Sequence, residues 1–105
     1  MLTNELQIRI DIEVARFSWI SSIEIQWFAQ HRVEPRSILL AADDEGNDKV
    51  ECLLLTDHTG ANDSSYRVIY NPVQAQFGRE LELENGTSLL LGYYPDLEHT
   101  LDEIF

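Results

Sequence analysis

The chain has 105 residues, with 7 Lys plus Arg against 19 Asp plus Glu, for a formal net charge of −12. That balance argues against direct binding to nucleic-acid phosphates or to anionic membrane surfaces, because both run on Lys and Arg. With 44% hydrophobic and 10% aromatic residues, the chain is also too apolar for a disordered polyanion and suits one globular domain spanning residues 1–105.

Residues 6–14 alternate aliphatic and polar side chains. Period two with β-branched residues predicts a strand that presents Leu6, Ile8, Ile10, Ile12 and Val14 on one face. Residues 23–27 alternate again and are predicted as a second strand. The alternative is an extra helix over about 18–32, since Ile20, Ile23, Trp27 and His31 also suit helical spacing. Pro35 is expected to end whatever precedes it. Residues 37–42 and 50–56 flank the polar run 43–48 and read as a hairpin, whose second arm is apolar on both sides and therefore central. Residues 66–70 form a short strand stopped by Asn71 and Pro72.

Asn85-Gly86, between residues 77–84 and 87–93, predicts a two-residue hairpin loop. In that register Glu82 faces Leu89 and Glu80 faces Leu91, so Glu80, Glu82 and Glu84 share a face with Leu89 and Leu91. Leucines set among glutamates on a wet face call for cover, by the chain's own C-terminal helix or by a second subunit. That helix is predicted from Pro95, with Asp96 and Glu98 in its first turn and Leu97, Leu101, Ile104 and Phe105 on one face. The expected fold class is therefore α+β: a mainly antiparallel, curved or partly closed sheet of five to seven strands with a C-terminal α-helix.

The chemistry-bearing residues are dispersed. Cys52 is the only cysteine, lies in an apolar run, and reads as core rather than as a reactive thiol. Asp57-His58 has the form of an acid orienting an imidazole and is the weak catalytic candidate, against the simpler reading of a turn at a strand end. The three histidines, His31, His58 and His99, show no ligand spacing, and residues 43–48 do not fit a calcium loop, so neither a metal nor a cofactor is expected. An aromatic ligand cleft is drawn from Trp27, Tyr70 and Tyr93.

Charge placement says more than any motif. Residues 1–42 hold four basic and five acidic side chains, a net −1, whereas residues 43–105 hold three and fourteen, a net −11. The expectation is a non-catalytic interaction module whose acidic C-terminal half meets a basic protein or a cationic small molecule. Glu80, Glu82, Glu84, Leu89 and Leu91 are the candidate contact residues, and a homodimer is expected to cover the leucines. The alternative is a small-ligand-binding protein or enzyme that uses the aromatic cleft. In small size, acidity and want of motifs the chain resembles accessory proteins of mobile elements, such as immunity proteins and antitoxins; the resemblance is of type and locates no residue. The N-terminus has no basic start or apolar core of a secretory signal, which together with the single cysteine predicts a cytoplasmic setting.

Overall fold

The computed structural model describes residues 3–42, 48–57, 66–84 and 86–104. Its elements run α1 (Thr3–Ala15), α2 (Ser22–His31), β1 (Arg32–Ala41), β2 (Lys49–Thr56), β3 (Tyr66–Asn71), β4 (Gln76–Glu82), β5 (Ser88–Tyr94) and α3 (Leu97–Ile104). The class is α+β: five mainly antiparallel strands in a ring that is not a regular barrel, with helices packed outside, among them the expected C-terminal one.

The N-terminal strand is the main correction. Residues 6–14 lie within α1, because their alternation also contains a helical signal: Leu6 and Ile10, four apart, are both fully buried against the sheet. Ile8 and Ile12, which the strand reading placed beside them, point outward at 60% and 46% exposure. Arg9 Nε donates to Glu13 Oε2 at 3.2 Å, an i,i+4 pair that only a helix brings together. Residues 23–27 are helical as well. Ser21 caps α2, its Oγ accepting from the Glu24 N–H at 3.2 Å, and Phe28 and His31 are buried. The helical alternative is thus the correct reading, over Ser22–His31 and not the whole of 18–32. Pro35 does not end it, since α2 stops at His31 and Pro35 is buried inside β1. The β1–β2 ladder is irregular between Arg32 and Arg36, where a residue without an N–H can be accommodated.

The ring consists of two well-paired units. One is the β1–β2 hairpin, in register from Arg36↔Leu54 to Ala41↔Lys49. The other is the β3–β4–β5 meander, from Tyr66↔Leu81 to Asn71↔Gln76 and from Phe77↔Tyr94 to Glu82↔Ser88. They join at Leu53↔Tyr70 and Leu54↔Ile69 on one side and at a single parallel pair, Ala41↔Leu89, on the other.

The β4–β5 connection differs by one residue from the two-residue loop. Leu83 N–H donates to the Thr87 carbonyl at 2.8 Å and Gly86 N–H to the Leu83 carbonyl at 2.9 Å, with Gly86 at φ +87°. This is a β-turn completed by a glycine in the left-handed region, the common three-residue hairpin loop. Asn85 itself lies outside the described residues. The slip sets Glu80 opposite Leu90, Leu81 opposite Leu89, and Glu82 opposite Ser88. Leu91 falls in an irregularity of the ladder beside Arg79 and Glu80. The anticipated face of Glu80, Glu82 and Glu84 with Leu89 and Leu91 is therefore not formed.

Strand alternation divides the hydrophobic residues into two cores. The outer core joins Leu55, Val68, Tyr70 and Phe77 of the sheet to Leu6, Ile10, Phe28, Leu97, Leu101 and Ile104 of the helices. The inner core lies within the ring and contains Leu40, Cys52, Leu54 and Ile69, with Ile38, Val50, Leu90 and Tyr93 packed on it. Gly78 makes the ring fit: a Cβ there would stand 2.6 Å from the Gly92 carbonyl oxygen and 2.8 Å from Ile69 Cδ1.

Candidate functional site

The densest polar cluster closes one end of the ring. Arg67 on β3 stands opposite Glu80 on β4, and its Nε donates to Glu80 Oε1 at 3.0 Å while Nη2 meets Glu80 Oε2. Arg67 Nη1 donates to Asp57 Oδ1 at 3.1 Å, Nη2 lies 3.3 Å from Glu82 Oε2, and Arg36 Nη2 pairs with Asp57 Oδ2. Glu80 is 0% and Arg67 7% exposed. The hydrogen bond that Arg67 donates to Glu80 outweighs burial and raises the Arg67 pKa further above its already basic value. Three carboxylates enclose this guanidinium, so the cluster is a structural lock between strands and not a phosphate-binding arginine. Asp57 has both oxygens engaged by arginines; its sequence neighbour His58 lies outside the described residues.

The aromatic residues do not form one cleft. Trp27 stacks on His31 with ring centroids 4.4 Å apart, at the outer core. Tyr70, fully buried in that core, accepts from Arg9 Nη1 at 2.8 Å. Tyr93 belongs to the inner core and its hydroxyl accepts from Asn71 Nδ2 at 2.8 Å. Burial pushes the pKa of the Tyr93 hydroxyl and of the Cys52 thiol up, which keeps both neutral. Of the proposed acidic contact residues, Glu80 is inside the fold, Glu82 and Glu84 are exposed, and Leu89 and Leu91 are half-buried.

A concavity that no motif announced lies between the end of α1 and the start of α3, with a volume of about 430 Å³. Ile12, Phe17 and Pro95 supply its apolar wall, and Arg16 and Glu98 its opposite charges. Arg9 and Glu13 also line it but are paired with one another, and Glu13 Oε1 further accepts the Leu97 N–H at 2.9 Å. Asp96 is the α3 cap, its Oδ1 accepting from the His99 N–H and from His99 Nδ1, each at 2.8 Å.

Glu98, 9% exposed, ties the helices together. Its Oε2 accepts the backbone N–H groups of Ser18 at 2.7 Å, Trp19 at 2.8 Å and Ile20 at 3.2 Å. Burial alone would raise the Glu98 pKa, but the N–H groups of Trp19, Ser18 and Ile20 outweigh it and hold the carboxyl below its ordinary value. Trp19 then packs edge-on against His99, with centroids 5.0 Å apart. The sequence signal was slight, since a glutamate in a first helical turn normally reads only as a dipole effect.

Among the described residues no group of three or more His, Cys, Asp or Glu is placed to hold a metal ion, and no helix is long and apolar enough to cross a membrane. Compared with protein-family models, with curated proteins and with solved structures, the chain matches none.

Proposed function

We propose that this is a non-catalytic interaction protein whose acidic C-terminal half engages a basic partner. The observation that supports it is where the cations go. Of the 7 Lys and Arg residues, Arg9, Arg32, Arg36 and Arg67 are ion-paired within the fold. Arg79 lies over the Tyr66 ring and donates to the Glu103 carbonyl. Glu84, Asp102 and Glu103 remain exposed on the C-terminal half. Four of the seven cations are neutralised by carboxylates of the fold while these acids stay outside, which favours encounter with cationic surfaces and suppresses other association. An immunity protein or antitoxin acting in the cytoplasm is one form of this reading. A homodimer is compatible with it, and sedimentation equilibrium at micromolar concentration tests the dimer directly.

The test of the main reading is affinity capture from a native lysate at low and moderate salt. Basic proteins are expected to be retained at low salt and weakened at moderate salt. The charge-reversed variant Glu84→Lys/Asp102→Lys/Glu103→Lys is expected to lose them. Empty columns at both salt concentrations, or equal retention by the variant, would count against the proposal.

A further inference from the structure

At the α1–α3 cavity the Arg16 guanidinium and one carboxylate oxygen of Glu98 are groups of opposite charge that the fold leaves open. Arg16 is exposed at the end of the chain's first helical stretch, and its side chain makes no ion pair or hydrogen bond among the described residues. Glu98 is buried and anchored through Oε2 alone; its Oε1 has no hydrogen-bond partner among the described residues, although Glu98 forms part of the cavity wall. Of the other charged groups at the cavity, Arg9 and Glu13 serve one another, and Asp96 caps α3 through Oδ1 and adds negative charge beside Glu98. Arg16 and Glu98 do not pair with each other, and the apolar surface of Ile12, Phe17 and Pro95 belongs to the same cavity.

We infer that this cavity binds a small zwitterion with an apolar body, of the α-amino-acid or short-peptide class. Its carboxylate meets Arg16, its ammonium meets the free oxygen of Glu98, and its side chain covers the apolar wall. The volume, about 430 Å³, falls in the range of small-molecule sites. Charge selects the class. A simple anion would have to approach a chain of net charge −12 and would leave the Glu98 oxygen bare. A simple cation would leave Arg16 without a partner. A zwitterion satisfies both groups and feels no net repulsion from the protein's field. Blocking either end of such a molecule leaves a charged group at the cavity unmatched, the most effective way for a site to reject a close analogue.

The experiment titrates the full chain, in ¹H–¹⁵N NMR, with L-leucine, L-phenylalanine and the dipeptide Leu-Phe, each also in N-acetyl and C-terminal amide forms. The unblocked compounds are expected to shift the amides of Ser18, Trp19 and Ile20, which hang on Glu98, and to raise the melting temperature. The blocked forms are expected to bind at least about tenfold more weakly, roughly the 1.4 kcal/mol that one lost contact of this kind represents. Arg16→Ala removes an exposed, unbonded side chain, so its fold should be retained while its affinity falls by a similar factor. Absence of shifts at millimolar concentration, equal binding of blocked compounds, or undiminished binding by Arg16→Ala each overturns the inference. The Glu84→Lys/Asp102→Lys/Glu103→Lys protein should bind the same compounds unchanged, so this site and the acidic-surface proposal fail or stand separately.

Discussion

The two faces of the sheet are organised by different interactions. Inside the ring a small aliphatic cluster is bounded along β3 by polar contacts: Arg67 with Glu80 at one end of the strand, Asn71 with Tyr93 at the other. Outside, three helices cover the sheet with larger apolar side chains, and polar bonds such as Arg9 to Tyr70, Arg32 to Asp11 and Arg79 to the Glu103 carbonyl tie the helices to the strands. Hydrophobic area rewards many arrangements of similar size, whereas a bidentate guanidinium pair rewards one register only. The inner face thus specifies which residues oppose one another, and the outer face gathers the larger group of buried apolar side chains.

That division can be broken by substitution. Glu80→Ala leaves the Arg67 guanidinium largely buried with its main partner gone, and it should cost about 3–5 kcal/mol in denaturant unfolding. The double variant Arg67→Met/Glu80→Leu should recover most of that loss. A cost for Glu80→Ala below about 1 kcal/mol would mean that the inner face does not depend on the pair. On the outer face, Ile10→Ala should cost about 2–5 kcal/mol as a core truncation. Ile8→Ala, two residues away and exposed, should change stability by less than about 0.5 kcal/mol. Equal losses at the two positions would restore the strand reading of residues 6–14.

A more modest effect than those of the two core variants concerns the link between the helices. Glu98→Gln keeps an acceptor for the Ser18, Trp19 and Ile20 N–H groups but removes its charge, which should cost about 1–2 kcal/mol near neutral pH. Because the folded pKa of Glu98 lies below its ordinary value of 4.5, its stabilisation is complete above that value and fades as pH falls through the folded one. Stability curves of the parent and the variant should therefore converge on acidification below about pH 4.5. A gap that does not change with pH would show that the charge contributes nothing.

Much of the architecture was legible from local patterns. Turn residues delimited β2 to β5 and the end of β1, though not its start, and the apolar spacing of Leu97, Leu101 and Ile104 marked α3. The N-terminal half misled because Leu6, Ile8, Ile10, Ile12 and Val14 satisfy period two along the whole stretch, while Leu6, Ile10 and Val14 also satisfy a spacing of four. Two discriminating signals were nevertheless present: the Glu5, Arg9 and Glu13 ladder at i,i+4, and the Ser21-x-x-Glu24 capping pattern. The Arg67–Glu80 pair was hidden for another reason. It depends on the register of β3 against β4, and a shift of one residue turns a buried partner into a solvent-facing charge. The concavity beside Glu98 was less visible still, because it brings together residues about 80 positions apart, as does the Glu98 to Ser18 bond.

The thin joins of the ring have a mechanical consequence. Two stiff leaves, the β1–β2 hairpin and the β3–β4–β5 meander, meet along a short hinge at Leu53–Tyr70 and Leu54–Ile69 and close with one clasp at Ala41–Leu89. Opening that clasp breaks few backbone bonds, so the leaves can part without melting either one, and such partial openings are the least costly excursions a native protein makes. The Cys52 thiol, sealed between the leaves, would then meet a thiol reagent at the pace of the clasp and not at the pace of global unfolding.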